Sequence, residues 1–93
     1  EEEVLPKEFS LKQNYPNPFN PSTTISYELA SNSLTKLIIY DILGKEVALL
    51  VNEQKSAGRY TVNFDAKQLS SGLYIYRLTA GEFTVTKKML LLK

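Results

Sequence analysis

Along most of the chain apolar residues recur at every second position, the period of a strand with one face buried. In Ser22–Leu29 this puts Ile25, Tyr27 and Leu29 on one face and Thr24, Ser26 and Glu28 on the other. Arg59–Asp65 aligns Tyr60, Val62 and Phe64, and Gly72–Thr79 aligns Tyr74, Tyr76 and Leu78. Phe9–Gln13 alternates as well and predicts a first, edge strand. Thr35–Asp41 is apolar on both faces, with Leu37 and Ile39 expected in the core and Ile38 and Tyr40 opposite. A strand of that kind is usually central or covered by another element.

Two segments break the period. In Lys45–Lys55, Val47, Leu50, Val51 and Gln54 are spaced like a helical face, and Ala, Leu, Glu and Lys are good helix formers. A strand over Lys45–Val51 is preferred because Asp41–Ile42–Leu43–Gly44 reads as a tight reversal. Asp suits the first position of a type I turn, and Gly supplies the positive φ of the bulge that follows. In Glu82–Leu92, Lys87 falls in register with Phe83, Val85, Met89 and Leu91, which predicts a bulge near Lys87–Lys88. Which of Met89–Leu92 then face inward is left open by the pattern.

Seven short strands starting roughly every 10 to 14 residues with turn residues between them predict an all-β, immunoglobulin-like antiparallel sandwich. Three strand starts share a small–Gly–any–aromatic pattern: Ala57–Tyr60, Ser71–Tyr74 and Ala80–Phe83. Their intervals of 14 and 9 residues are too uneven for a solenoid. The glycines are expected to release the chain from turns, with the aromatics filling the core. Asn14–Tyr15–Pro16–Asn17–Pro18–Phe19–Asn20–Pro21 carries three closely spaced prolines that fix φ and extend the residues before them. It predicts a stiff strap pinned by Tyr15 or Phe19, with Asn17 and Asn20 bonding nearby backbone donors.

Composition narrows the chemistry. The 93 residues suit one domain, residues 9–93, and 43% apolar with 23% charged residues is the balance of a folded unit. Glu1–Glu8 reads as a solvated linker from a longer parent protein, and the ending on Lys87–Lys93 suggests a C-terminal module. No apolar run approaches the ~18 residues of a spanning helix. Eleven basic against ten acidic residues leave a net charge of +1, too balanced for a nucleic-acid partner. The chain has no Cys and no His, which excludes thiol and Ser–His nucleophiles and the usual transition-metal ligands. Asp41, Glu46, Glu53, Asp65 and Glu82 are scattered beside turns rather than paired as glycoside hydrolysis needs. Oxygen ligands for calcium near Asp41 or Asp65 lack the density of an Asp-rich loop. The expectation is therefore a protein without catalytic activity, metal or cofactor. The six Tyr and four Phe are expected mainly in the core, with Tyr40 the best candidate for an exposed sugar-stacking face.

Four blocks occur in order: Gln13–Ile25; Ile39–Asp41 with Gly44–Val47; Ser71–Leu78; and Lys88–Lys93. Together they strongly resemble the type A C-terminal sorting domain of the type IX secretion system, over about residues 9–93. The chain is also similar to the immunoglobulin-like domain of flagellar hook-capping proteins. The resemblance implies a sandwich at the end of a large secreted protein, carrying an N-terminal cargo domain through the periplasm to the cell surface or medium. Its implied partners are the outer-membrane export machinery and a processing peptidase. The terminal block carries most of the signal in that family, which points to Lys88, Met89, Leu90, Leu91, Leu92 and Lys93. Asn17, Pro18, Asp41, Gly44, Gly72 and Tyr74 match the family pattern with structural roles.

By its residues alone, the terminal strand suits two readings. A receptor could add it to a sheet as an edge strand, or its lysines could guard an edge against aggregation. Two other functions compete with sorting: a carbohydrate-binding sandwich, requiring an exposed aromatic strip, and a structural accessory domain that tolerates loss of Lys88–Lys93.

Overall fold

The computed structural model describes residues 4–93, in which seven antiparallel strands form two packed sheets. The first sheet has the order β1 (Ser10–Leu11), β2 (Ser22–Leu29), β5 (Gly58–Asp65). The second runs β4 (Glu46–Lys55), β3 (Ser33–Tyr40), β6 (Gly72–Ala80), β7 (Phe83–Leu91). The predicted Phe9–Gln13 strand contracts to two paired residues, because Gln13 and Asn14 turn away to make side-chain bonds. The three Glu that open the expected linker lie outside the described residues. Of the rest, Val4, Leu5, Lys7 and Glu8 are exposed, whereas Pro6 is buried and Arg59 Nη1 donates to the Val4 carbonyl at 2.7 Å.

The core follows strand parity. Ile25, Tyr27 and Leu29 from β2 face Leu37 and Ile39 from β3 and Tyr74, Tyr76 and Leu78 from β6, all buried. Each such side chain contributes about 1.5–3 kcal/mol relative to exposure. Tyr60 lies half-buried with its ring stacked 5.3 Å from that of Tyr27. The aromatics serve mainly as core, as the pattern predicts. Tyr60 and Tyr74, each two residues after a turn glycine, donate their hydroxyls to carbonyls four residues upstream. These are Ser56 at 2.6 Å and Ser70 at 2.7 Å. The small–Gly–any–aromatic pattern is therefore a turn lock, a phenol reaching back to hold the loop that precedes its own strand. Phe83, which has no hydroxyl, stacks on Phe9 at 5.3 Å instead.

The whole of Glu46–Lys55 is strand, and its odd spacing has a cause. Pairing with β3 shifts register between Leu37 and Ile38 and again between Ile39 and Tyr40, where Val51, Leu49, Ala48 and Glu46 are the successive partners. Leu50 and Val47 are thus the extra residues of two bulges, and each bulge resets the alternation. Both are half-buried beside Val51. A twice-bulged strand places apolar residues at spacings that imitate a helix.

The bulge expected at Lys87–Lys88 is absent. β6 and β7 pair without interruption from Gly72↔Leu91 to Ala80↔Phe83. Lys87 keeps the inward parity and stays half-buried, because β7 is an edge strand and a lysine stem can line apolar surface while its ammonium reaches water.

Candidate functional site

The terminal block divides by parity. Met89 and Leu91 point into the core, fully buried, opposite Tyr74 and Gly72. Lys88 and Leu90 face outward, Leu90 half-buried, and Leu92 and Lys93 beyond the strand are exposed. The parity question that the sequence leaves open is settled by the unbroken register: even positions are outside, odd positions inside.

The outer edge of this strand is occupied. Phe19 forms a parallel bridge with Leu91: its amide donates to the Leu90 carbonyl at 3.0 Å, and its own carbonyl accepts from Leu92 N at 3.0 Å. Asn17 Oδ1 accepts from Leu90 N at 3.0 Å, and Gln13 Nε2 donates to the Lys88 carbonyl at 2.7 Å. Edge addition by a receptor is therefore blocked along Leu90–Leu92 in this state, since those backbone groups already have partners. The strap is pinned by Phe19, which is 2% exposed and tilted against Phe64 at 6.3 Å, and not by Tyr15, which is 80% exposed. Asn17 bonds across the molecule rather than to nearby backbone donors, and Pro18, beside it, is exposed.

At its other end the strap belongs to the opposite sheet. Tyr15 and Thr24 exchange backbone hydrogen bonds of 3.0 and 2.9 Å, so the proline segment laces β2 to β7. A buried knot holds the crossing. Asn14 N donates to Tyr76 Oη at 2.9 Å, and Tyr76 Oη donates to the Lys12 carbonyl at 2.8 Å. Asn14 Nδ2 donates to Thr23 Oγ1 at 3.0 Å and to the Pro16 carbonyl at 3.1 Å, while Thr23 Oγ1 donates to that same carbonyl at 2.8 Å. Gln13 Nε2 reaches Asn14 Oδ1 at 2.7 Å. Burial pushes the Tyr76 phenol upward in pKa, and its bond from the Asn14 amide opposes that rise in part. Gln13, Asn14 and Thr23 lie within the first sequence block, but sequence reasoning gave them no role. Their partners are set by tertiary contact, and no local spacing shows that.

The remaining motif residues sit apart from this site or beside it. Asp41 Oδ1 accepts from Leu43 N and Lys45 N at 2.9 Å each, and Gly44 takes φ +86° in the same turn. A side chain at Gly44 would be strained in that left-handed conformation. Asp41 and Gly44 thus close the β3–β4 hairpin, as the sequence predicts. Gly72 pairs with Leu91, and the Tyr74 hydroxyl locks the loop ahead of it. Lys93 is tied to that loop, Nζ donating to the Lys67 carbonyl at 2.6 Å and the backbone N to Ser71 Oγ at 2.9 Å. The tyrosines give no flat exposed strip: Tyr40 is half-buried, with the Arg77 guanidinium 4.9 Å over its ring. No helix among the described residues is long and apolar enough to cross a membrane.

Among curated proteins, none matches the chain in sequence. Among solved structures, the fold is similar to part of PorZ, described as an essential bacterial surface component of the type IX secretion system of Porphyromonas gingivalis. The TM-score is 0.58 and the identity 19%, over 91% of this chain and 11% of that one. At that identity the likeness shows the fold alone, an antiparallel sandwich of two sheets. Residues 13–92, from the glutamine that grips β7 to the leucine that ends the strap's bridge, match the secretion system C-terminal sorting domain. With the four motif blocks, the sandwich and the match in agreement over nearly its whole length, this chain belongs to the C-terminal sorting domain family of type IX secretion.

Proposed function

We propose that the domain is a noncatalytic address, read by the outer-membrane export machinery through Lys88–Lys93 in its folded, strap-held form. Membership of the family implies an export machinery, a cargo, and a destination at the cell surface or outside the cell. The finer steps proposed are passage through the periplasm, a cargo joined at the N-terminal side, and a peptidase acting on the exposed segment ahead of Pro6. One observation carries the reading. The two most distinctive sequence blocks, 73 residues apart at Asn17 and Leu90, form a single structure. A terminal strand that needed only to complete a sheet has that sheet in β6. The strap adds a second grip, which fixes the geometry in which Lys88, Leu90, Leu92 and Lys93 are displayed.

The test is a secreted reporter fused to the full chain, to a copy ending at Lys87, and to a full-length Lys88→Ala/Leu92→Ser copy that alters only outward side chains. Circular dichroism shows which copies fold. The expected result is surface reporter from the full chain and periplasmic retention of the folded double variant. Equal delivery from all three, or from none, overturns the address reading.

A further inference from the structure

The outer face of the four-stranded sheet carries apolar residues that the core does not use. Leu49 pairs with Ile38, Tyr40 with Ile75, and Leu73 with Leu90. Ile38 and Tyr40 are two apart on β3, and Leu73 and Ile75 two apart on β6, so the three pairs join into one diagonal stripe across all four strands. Leu49 is 49% exposed and Leu73 40%, while Ile38, Tyr40, Ile75 and Leu90 are half-buried. The Asp41–Lys45 turn, which follows Tyr40 in the chain, exposes Ile42 at 66% and Leu43 at 89%. A contiguous apolar stripe on the solvent face of a small domain marks an interaction surface.

The charges on this face are of one predominant sign. Lys36, Arg77 and Lys88 share its parity against Glu46 alone, and among the described residues none of the three is in an ion pair. The Arg77 guanidinium lies over the Tyr40 ring, at the middle of the stripe. Unpaired cations around an apolar centre complement a surface with the opposite rim. The outward residues of the terminal block, Lys88 and Leu90, are one end of this same face. With the backbone edge of Leu90–Leu92 already taken by the strap, outward side chains are what the folded block offers to a partner there.

We infer that the outer face of the β4-β3-β6-β7 sheet is the docking surface for the export partner. The partner presents a protein surface that is apolar at its centre and acidic at its rim. This deepens the address reading and rests on it: the signal is a composite face of which Lys88–Lys93 is one margin.

The test uses reporter fusions of the whole chain carrying face substitutions outside the terminal block. Lys36→Glu/Arg77→Glu reverses the rim, Leu49→Ser/Leu73→Ser removes the stripe, and Thr61→Glu/Asn63→Lys on β5 controls for the opposite sheet. Thermal melts confirm that each folds, with Lys36→Arg/Arg77→Lys as a second, charge-keeping variant. The expected result is a loss of surface reporter of roughly tenfold or more for each face pair, with little change for the control and the charge-keeping pair. If the face pairs export normally while Lys88→Ala/Leu92→Ser does not, the face inference is overturned and the address reading stands. If none of these variants affects export, both fall. Binding of the purified chain to anionic phosphatidylglycerol vesicles, lost in the face pairs while export is unchanged, overturns the protein partner in favour of a lipid surface.

Discussion

The four-stranded sheet has two edges, and they are guarded by different means. On β4 the edge has no strand neighbour among the described residues, and two bulges interrupt its regularity. Its inward row ends in Glu53 and Lys55, paired at 3.0 Å, with the Lys55 ammonium 4.7 Å over the Tyr60 ring. Bulges and inward charges are low-cost ways to prevent an edge from recruiting another chain. On β7 the half from Phe83 to Lys87 uses a similar device, the inward lysine at position 87. The half from Lys88 to Leu92 is instead covered by the strap, which spans a long sequence separation and needs a buried polar knot to hold it. Protection from aggregation needs much less than that. The difference teaches that the strap positions Leu90–Leu92 as well as shielding them.

Removing the strap's anchor should erase the difference between the edges. Phe19→Ala deletes a side chain only 2% exposed, and core truncations of this kind cost about 3–5 kcal/mol. Chemical denaturation should show that loss, and hydrogen exchange at the Leu90 and Leu92 amides should accelerate more than at amides of β3. Undoing the knot comes next. Asn14→Ala removes the side-chain donor to Thr23 Oγ1 and the Pro16 carbonyl and the acceptor for Gln13 Nε2, while its backbone bond to Tyr76 remains. The cost should be about 1–3 kcal/mol, measurable in the same titration. Asn17→Ala removes one exposed bond to Leu90 N and should cost about 0.5–1.5 kcal/mol. Its exchange effect should be confined to Leu90, which separates local clasping from global stability.

The β4 side offers a pH test. Tyr27 is fully buried, its hydroxyl finds no hydrogen-bond partner among the described residues, and desolvation, with Tyr60 and Glu53 nearby, pushes its pKa up to about 12. A folded pKa above the unfolded value near 10 means that the native state holds its proton longer. Stability is therefore full below about pH 10 and falls as pH rises towards 12. Tyr27→Phe should flatten that fall in melts at pH 9 and 11 with little change at neutral pH, since it removes an unpartnered hydroxyl. Tyr76, also raised, contributes a remaining slope of the same sign. The smallest effect is expected at the uncovered half of β7. Lys87→Val should change stability by no more than about 0.5 kcal/mol while promoting concentration-dependent association in sedimentation equilibrium. An equal rise in association for Lys88→Val would show that inward placement is not what protects this edge.

What the sequence revealed depended on how local the cause was. Strand parity placed Ile25, Leu37, Ile39 and Tyr76 in the core, because burial on one face imposes a period of two. Asp41 and Gly44 announced their turn, because its bonds lie within five residues. The Val47–Leu50–Val51 spacing was ambiguous, because a bulge adds a residue that no local preference marks. Lys87 suggested a distortion that an edge position makes unnecessary. For the terminal block, the sequence supplied the residues and the resemblance the role expected of them. Neither showed that Asn17 and Phe19 hold Leu90 and Leu92, since that pairing exists only once both sheets have formed.

The bridge between Phe19 and Leu91 also sets the order of events. Most pairing in this fold is between consecutive strands, but the strap must wait for a segment more than seventy residues later in the chain. Contacts of such separation pay their loop-closure entropy late and form slowly. Until residues up to Leu92 have been synthesised and docked, Phe19 has no edge to hold and the outward leucines have no fixed placement. The finished clasp is thereby a report on docking: a chain still folding cannot present the same surface as one in which the strap and the β7 edge have met.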